Sequence, residues 1–311
     1  MERIRTLFLT GQTASGKGAV GAVLARHVGA EIISLDSMKV YRGMDVGTAK
    51  PSAERRRQVP HHMVDVVEPH EHFDAALYAA GAERAVEDIA SRGAVPLFVG
   101  GTALYLKAIT EGLFEGPAAD ARFRARLRAE AARLGTEHLH RRLAEVDPAA
   151  AERIHPNDLR RIERALEVYE KTGAPISELQ EQFGRPSERY APVIMALRRE
   201  KGDLHDRIER RVDAMMANGM LDEVRRLASG PKPLGKVASQ ALGYRELLAH
   251  LAGDCTLEEA VELIKLHTRQ FAKAQMTWFK RIEGVRWFDV ARGETPEHTA
   301  RRLADFLGSL T

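Results

Sequence analysis

The sequence predicts an α/β fold in which helices cover both faces of a parallel sheet. Short, almost continuously apolar segments alternate with helical patterns, glycine-rich turns follow two of these segments, and the longest apolar runs are only strand-sized. The predicted strands are 5–11, 30–36, 94–101 and 191–197. The predicted helices of this part are about 17–27, 75–91, 203–217, 220–228 and 257–281.

The middle of the chain has a different pattern. From residue 121 to about Thr172 there is no strand candidate, and the helical pattern is rich in arginine. Its clearest helix begins at Pro156-Asn157 and ends before Gly173, where a glycine and then a proline stop the helix. We therefore expect an all-helical insertion. The predicted domains are a first part of the core at 1–116, the insertion at 117–190, and a return to the core with C-terminal helices at 191–311.

Composition excludes several classes of protein. The chain has 311 residues and a net charge of only +3, so bulk charge does not by itself indicate nucleic-acid binding. A single cysteine, Cys255, excludes an internal disulfide and a cysteine-based zinc site. The first strand begins almost at the N-terminus, and no apolar run is long enough to cross a bilayer. We expect a cytoplasmic protein without a membrane segment, and a monomer.

Residues 11–18 read GQTASGKG and lie between a predicted strand and a predicted helix, which is the context of a P-loop. The backbone N–H groups of such a loop surround phosphate oxygens, while the helix N-terminus and Lys17 add positive potential. Gly18 stands where the motif has the Ser or Thr that ligates magnesium. The loop is thus suited to hold a diphosphate, within a P-loop NTPase-like sheet. The candidate binding residues are Gly11, Gln12, Thr13, Ala14, Ser15, Gly16, Lys17 and Gly18.

Asp36 follows the second predicted strand, whereas the strand that ends at Gly100 carries no carboxylate there. Ligands of parallel sheets bind at the carboxyl ends of the strands, so Asp36 is expected above the P-loop. A carboxylate in that place can accept a proton from an attacking group. The alternative is that Asp36 caps or orders the loop that follows it.

Several strings along the chain resemble the successive motifs of bacterial tRNA dimethylallyltransferases. The resemblance extends from the P-loop to about Arg281, and its most specific strings are DSMKVYRGMDVGTAKP, beginning at Asp36, and FAKAQMTWFKR, beginning at Phe271. It implies transfer of a dimethylallyl group from dimethylallyl diphosphate to the exocyclic amino nitrogen of the adenine that lies 3′ of the anticodon. The partner implied is the anticodon stem-loop of tRNA.

The resemblance also implies roles for individual residues. Asp36 is the expected general base, Thr13 helps to orient the reacting groups, Arg207 adds a clamp on the diphosphate, and Mg²⁺ is the expected cofactor, although no metal ligand is identified. Three residues depart from the family pattern: Gly18 replaces Thr or Ser, Lys39 replaces Gln or an apolar residue, and Ala274 replaces a basic residue. The expected tRNA-binding residues are Asp36, Ser37, Met38, Lys39, Thr102, Arg124, Arg160, Arg161, Ile162, Glu163 and Arg164.

Two basic helical stripes support an RNA substrate. Arg160 and Arg164 lie one turn apart on one helix face, although the pattern also fits a solvated face on which Glu163 and Glu167 pair with the arginines. A second stripe is formed by Lys265, Arg269 and Lys273. On that helix Ile264, Phe271 and Trp278 recur every seven residues and are expected to pack inward.

Three other functions are compatible with parts of the sequence. A P-loop kinase explains the strand, loop and helix at the start of the chain, but not Gly18. Prenylation of free adenine nucleotides explains the P-loop and Asp36, but not the arginine-rich insertion. An RNA-binding module without catalytic activity leaves Lys17 and Asp36 unexplained. His61 and His62 are adjacent and lack further ligands at metal-binding spacing, so packing is the expected role.

Overall fold

The computed structural model describes residues 3–114, 116–180 and 187–310. Its strands are β1 Ile4–Gly11, β2 Ala30–Leu35, β3 His61–His62, β4 Val95–Gly100, β5 Tyr190–Arg198 and β6 Val285–Asp289. The helices are α1 Lys17–Val28, α2 Ala53–Gln58, α3 Ala75–Ser91, α4 Ala103–Glu111, α5 Ala121–Leu134, α6 Thr136–Val146, α7 Pro148–Arg153, α8 Leu159–Thr172, α9 Ile176–Leu179, α10 Lys201–Ala217, α11 Met220–Ala228, α12 Tyr244–Ala252, α13 Leu257–Phe279 and α14 Pro296–Gly308. Two compact units contain these elements: Met1–Thr110 with Ser187–Thr311, and Glu111–Pro186.

The first unit is built on one sheet with the strand order β3-β2-β4-β1-β5-β6. Each pairing between neighbouring strands is parallel, and the central register aligns Phe8 of β1 with Phe98 of β4 and with Ile194 of β5. Parallel strands need crossover connections, which the intervening helices provide. The predicted fold class, a P-loop-like parallel sheet flanked by helices, is confirmed.

Both faces of the sheet are covered by apolar side chains. On one face, Phe8 and Phe98 stack with their ring centroids 4.5 Å apart, within a cluster that includes Ile33 and residues of α3. The other face carries a second cluster, to which Leu7 and Leu9 of β1 contribute beside residues of α1 and α14. Burial on both faces explains why the central strands are almost continuously apolar.

Two strands were missing from the expectation. β3 has only two residues, too few for a periodic pattern, and pairs with β2 through His61 and His62. β6 carries Arg286 and Asp289 and is not fully buried at any position, as is usual for an edge strand. Both strands lie at the edges of the sheet, where the apolar signal is weakest.

The second unit is helical in its described residues and has a core of its own. Phe123 and Leu127 of α5 pack with Leu139 and Leu143 of α6 and with Ile162 of α8. Helix α8 begins at Leu159, two residues later than the start predicted at Asn157, because the Asp158 side chain accepts a hydrogen bond from the Arg161 N–H and caps the helix. It ends as predicted at Gly173, which is left-handed. The predicted end of the insertion is residue 190. Residues 181–186, shortly before it, lie outside the described residues.

No helix in the described ranges combines the length and the apolar composition that crossing a membrane requires.

A buried carboxylate in the first unit holds one loop in place. Glu223 of α11 accepts hydrogen bonds from the backbone N–H groups of Asp45, Val46 and Gly47, at 2.8–3.1 Å. The hydroxyl of Tyr244 donates a fourth, at 2.6 Å. A Cβ atom at Gly47 would lie only 2.5 Å from the Tyr244 ring, so a glycine is required where this loop meets the tyrosine. Four donors therefore depend on one side chain.

We predict that Glu223→Ala destabilises the protein by about 3 kcal/mol or more, because four buried donors lose a charged acceptor. Asp222→Ala on the same helix is the matched control, since Asp222 pairs with Arg225 on the exposed face. Urea unfolding followed by circular dichroism measures both variants. Equal midpoints for the two variants would contradict the role assigned to Glu223.

Candidate active site

The P-loop leaves Gly11 at the end of β1 and enters α1 at Lys17. Ala14 and Gly16 have positive φ angles of 61° and 99°, so successive backbone N–H groups turn toward the inside of the loop. The amides of Ala14, Gly16 and Lys17 donate to no other group among the described residues. Unpaired amides at a helix N-terminus are a binding site for phosphate oxygens.

Helix α13 supports this loop through two glutamine side chains. The backbone N–H of Thr13 donates to Gln275 Oε1 at 2.7 Å, and Gln275 Nε2 donates to the Gly101 carbonyl at 2.9 Å. Gln12 Nε2 donates in turn to the Ala272 carbonyl at 3.1 Å. A Cβ atom at Gly11 would lie 2.5 Å from the Leu197 carbonyl oxygen, so the start of the loop also passes directly beside β5.

Two arginines hold the outer side of the loop. Arg199 Nε donates to the Ser15 carbonyl at 2.9 Å and is paired with Asp203. Arg207 Nε donates to the Ala14 carbonyl at 2.8 Å, and its Nη2 atom lies 3.5 Å from the Cβ position of Gly16. The structure thus shows Arg207 bound to the loop itself, with Nη2 beside Gly16. Its predicted role as a clamp on the diphosphate stays a prediction.

The two carboxylate oxygens of Asp36 have different surroundings. Oδ1 accepts hydrogen bonds from the backbone N–H groups of Met38 at 2.9 Å and Lys39 at 3.4 Å, which orders the loop after β2. Oδ2 accepts none from the described residues, and Asp36 lines the cavity beside the P-loop. Ser37 and Thr102 are joined by a 3.2 Å hydrogen bond from the Ser37 N–H to the Thr102 hydroxyl. Both interpretations of Asp36 are compatible with this geometry, one for each oxygen.

The cavity has a volume of about 530 Å³ and is lined by residues of the first unit only. Its size suits a small organic diphosphate together with a purine. The P-loop and Asp36 supply its polar side. The described apolar side chains that line it include Ala22, Ile32, Met38, Val64, Val99, Ala241, Leu242 and Phe271.

Positive charge dominates the cavity. Among the described residues that line it, Asp36 is the one carboxylate, whereas Lys17, Lys39 and Arg211 are cations, together with the exposed Arg55. The pKa of Lys17 is lowered to about 7, chiefly by burial and then by the neighbouring charges of Arg211 and Lys39, which outweigh the raising effect of Asp36. Burial likewise lowers the pKa values of Lys39 and Arg211. Such a site favours an anionic ligand.

Sequence reasoning identified part of this arrangement. It named Thr13, Lys17, Asp36 and Thr102, and all four line one cavity, while their individual roles stay predictions. The sequence pattern puts Arg211 on the same helix face as Arg207, from which either arginine could point into the cleft, whereas no pattern singles out Gln275. Each of these residues meets parts of the chain more than 170 residues away. Arg211 lines the cavity with Lys17 and Asp36, and Gln275 forms hydrogen bonds with Thr13 and Gly101.

The predicted face of α13 is wrong for two residues. Ile264 is buried, but Phe271 and Trp278 are 46% and 40% exposed. The buried residues are Ala260, Ile264, Thr268, Ala272, Gln275 and Phe279, spaced by four, four, four, three and four. The buried face follows this series of residues, so Ile264 lies at its edge and the line through Phe271 and Trp278 runs along the exposed side of that edge. Phe271 lines the cavity instead.

The basic stripe on α13 is also largely paired within the protein. Lys265 forms ion pairs with Glu209, Asp213 and Glu262, and Arg269 pairs with Glu209. Lys273 is exposed and forms no ion pair with the described residues. Within this stripe, Lys273 alone has a charge that no described carboxylate pairs.

In the helical unit, the predicted tRNA-binding residues separate into two groups. Arg160 and Arg161 are exposed, and Arg161 pairs with Asp158 at 3.4 Å. Arg124 and Arg164 instead bind the fully buried Glu167, at 2.6 and 2.7 Å. Arg164 also donates to the Pro117 carbonyl. Both arginines therefore stabilise the unit.

Two members of the predicted tRNA-binding set need correction. Ile162 is 0% exposed and lies in the core of the helical unit. Glu163 is 3% exposed, and its carboxylate accepts two hydrogen bonds from Arg128. Direct contact of these two side chains with RNA is incompatible with their burial. The alternative for this helix, a solvated face with glutamate–arginine pairs, is right about the pairing and wrong about the solvation, because Glu163 and Glu167 are both buried.

Metal binding by the histidines finds no support. His61 Nδ1 lies 2.7 Å from the Val59 carbonyl oxygen, and His62 Nε2 lies 2.7 Å from Glu31 Oε2. Within residues 3–114, 116–180 and 187–310, no group of three or more His, Cys, Asp or Glu side chains is arranged to hold a metal ion. The expected packing role fits these contacts.

The side chains of the cavity do not form a site for resident Mg²⁺. Mg²⁺ prefers carboxylate and hydroxyl oxygens in octahedral geometry. Position 18 offers no hydroxyl, and a Cβ atom placed there meets nothing within 4 Å. Asp36, the remaining carboxylate, has already committed Oδ1 to the backbone and lies among the cations Lys17, Lys39 and Arg211. Mg²⁺ as a cofactor stays a prediction from the resemblance.

The sequence matches two family models and many curated relatives. The family model described as IPP transferase matches residues 39–282, and the model described as isopentenyl transferase matches residues 4–65. A tRNA dimethylallyltransferase of Geobacter metallireducens is 49% identical over 93% of this chain and 93% of its own length. Another, of Desulforudis audaxviator, is 49% identical over 95% of each chain.

Solved structures agree with the sequence comparison. The full-length tRNA isopentenylpyrophosphate transferase of Bacillus halodurans has a TM-score of 0.73 and 37% identity, covering 99% of this chain and 96% of that one. A eukaryotic dimethylallyltransferase described as acting on tRNA has a TM-score of 0.82 at 28% identity, covering 98% and 80%. The matched model spans most of the chain and includes Lys39, Arg211 and Gln275 of the cavity. The chain belongs to the IPP transferase family.

Proposed function

We propose that this protein transfers a dimethylallyl group from dimethylallyl diphosphate to the exocyclic amino nitrogen of the adenine next to the anticodon, on its 3′ side, in tRNA. The observation that carries the proposal is the placement of Asp36 Oδ2, without a hydrogen-bond partner in the described chain, in one cavity with the P-loop and three cations. Relatives that share about half of the sequence are tRNA dimethylallyltransferases. As a tRNA-modifying enzyme, it would act in the cytoplasm, and we propose that it does so as a monomer.

The chemistry follows from the charges in the cavity. The bond between the allylic carbon and the diphosphate oxygen breaks, and its electron pair leaves with the diphosphate. The adenine amino nitrogen forms the new bond to the allylic carbon, and its proton passes to Asp36 Oδ2. Negative charge develops on the departing oxygens, where the amides of the P-loop and Lys17 are already oriented to stabilise it. No water has to be activated.

Two features of the cavity support an allylic diphosphate and a purine rather than a nucleoside triphosphate. The apolar side chains Ile32, Val99 and Leu242 line the cavity that the P-loop borders and provide surroundings for a hydrocarbon tail. Phe271 is exposed and lines the same cavity, where an aromatic ring can stack on a base that has left the RNA stack. A kinase of small metabolites requires the metal ligand that Gly18 lacks.

A labelling experiment separates the candidate functions. The protein is incubated with labelled dimethylallyl diphosphate or labelled ATP, and with unmodified tRNA or AMP. Passage of the allylic label to tRNA supports the proposal. Passage of the allylic label to AMP alone supports prenylation of free nucleotides, and phosphoryl transfer from ATP supports a kinase.

We predict that Asp36→Asn lowers the rate of transfer by about 10²-fold or more, because the amide cannot accept the proton. The substituted side chain retains an oxygen for the Met38 N–H, so the dissociation constants for tRNA and pyrophosphate should stay within about threefold of the wild type. Single-turnover transfer and binding titrations measure the two effects. Asp36→Ala removes the loop contact as well and serves as the comparison. Equal losses of binding and turnover in Asp36→Asn would make Asp36 a structural residue.

Lys17 gives the site a defined pH dependence. Its pKa is about 7 in the ligand-free protein, so at pH 8 most molecules carry a neutral amine. A bound anion raises this pKa, and pyrophosphate binding should take up roughly one proton more in the wild type than in Lys17→Arg, whose guanidinium is always charged. The wild-type affinity is therefore greatest below pH 7 and falls more steeply than that of the variant as the pH rises to 9. Calorimetry in two buffers of different ionisation enthalpy measures the protons, and identical uptake by both proteins would disprove the assignment.

Arg160 is the best test of RNA binding by α8, since it is exposed and has no ion-pair partner in the described chain. Arg160→Ala should weaken tRNA binding and reduce the slope of log K against log salt by about one, as expected for one lost phosphate contact. Arg164→Ala should lower the thermal stability, because it leaves part of the buried Glu167 unpaired. An unchanged salt slope in Arg160→Ala would remove this residue from the interface.

A further inference from the structure

Two lysines after β2 occupy contrasting surroundings. Lys50 is almost fully buried, and its ammonium is satisfied by the Tyr41 carbonyl at 2.7 Å and by Asp45 and Asp65 at 2.6 Å. Lys39 is partly buried and lines the cavity, yet its ammonium forms no hydrogen bond or ion pair with any described residue. A partly buried cation without a partner is unfavourable unless a ligand pairs with it.

The backbone of Lys39 is held on both sides. Its N–H donates to Asp36 Oδ1 at 3.4 Å, and its carbonyl accepts from the Asp65 N–H at 3.1 Å. The side chain therefore extends from a fixed position. Lys39 lines the same cavity as Lys17 of the P-loop and Asp36, and its charge contributes to the lowered pKa of Lys17.

Position 18 is open at the same cavity. Gly18 lines the cavity, is exposed, and has no atom within 4 Å of its Cβ position. In other P-loops this position carries the hydroxyl that binds Mg²⁺, which brings two positive charges to the phosphates. Here the hydroxyl is missing, and an additional lysine without a protein partner lines the same cavity.

We propose that the Lys39 ammonium binds the diphosphate directly and supplies positive charge that other P-loops obtain from a metal ion held at position 18. The inference rests on the proposed function, which places a diphosphate in this cavity. Lys17, Lys39 and Arg211 together oppose the several negative charges of a diphosphate without a metal ion. The diphosphate site of this chain consequently tolerates the removal of Mg²⁺.

A contact with RNA is the competing role for Lys39. Phosphate groups of RNA also attract lysine, and the resemblance placed Lys39 among the tRNA-binding residues. The electrostatic coupling of Lys39 to Lys17, inside a cavity that the P-loop borders, favours the diphosphate. The two roles differ in which ligand is lost when the charge is removed.

Calorimetry with sodium pyrophosphate tests the proposal on the full chain, in EDTA and in Mg²⁺. The wild-type dissociation constant should differ by less than about threefold between the two conditions. Lys39→Gln should weaken binding in EDTA by about tenfold to a hundredfold, the usual size of a lost charge-assisted contact. Lys280→Gln, which removes an exposed charge at the end of α13, should change nothing.

A double variant provides the reciprocal test. Gly18→Thr together with Lys39→Gln restores the hydroxyl and removes the ammonium, so Mg²⁺ should now strengthen pyrophosphate binding by about tenfold or more. Thermal unfolding of each variant in the absence of ligand shows whether it is folded. A folded Lys39→Gln that binds pyrophosphate as the wild type does, while losing tRNA affinity, would overturn the proposal in favour of the RNA contact.

The result also separates this inference from the proposed function. A wild type that binds pyrophosphate only with Mg²⁺, but transfers the allylic label to tRNA, contradicts the role of Lys39 and leaves the function intact. A wild type that binds no pyrophosphate in either condition removes the diphosphate site and with it both proposals.

Discussion

The surplus of positive charge in one cavity is the constraint on which the rest of the structure depends. Lys17, Lys39 and Arg211 line the cavity with a single carboxylate, Asp36, among the described residues. Bringing like charges together and withdrawing them from water is unfavourable, as the lowered pKa values of all three show. The sheet, the hydrogen bonds that hold the P-loop, and the loop held by Glu223 offset the unfavourable free energy of these buried charges until an anion binds.

Several features of the structure could be predicted from short stretches of the sequence. The P-loop, the four longest strands and Asp36 each have a short pattern with a physical cause, such as apolar runs in strands buried on both faces. Gln275 and Glu223 have no such pattern, because each acts on a segment more than 170 residues away in the chain. The orientation of α13 was missed for another reason: its buried face includes the polar residues Thr268 and Gln275, which a pattern of large apolar residues does not count.

The arginines of the two units bind different kinds of group. In the helical unit, the buried side chains of Glu163 and Glu167 form ion pairs with Arg124, Arg128 and Arg164, so the charge of these arginines is already paired within the unit. In the first unit, Arg199 and Arg207 bind carbonyl groups of the P-loop. A count of basic residues therefore overestimates the charge that a nucleic acid can meet, and the glutamates on the same helix indicate the correction.

The lysine of the P-loop has a partner even before any ligand arrives. Lys17 donates a hydrogen bond to the Gln12 carbonyl at 3.1 Å, within the same loop. When a diphosphate binds, the Lys17 ammonium exchanges the Gln12 carbonyl for a phosphate oxygen, and the loop does not have to fold around the ligand. Association should be governed by diffusion and electrostatic attraction, with a strong dependence on ionic strength, and the slow step of a catalytic cycle has to be sought elsewhere.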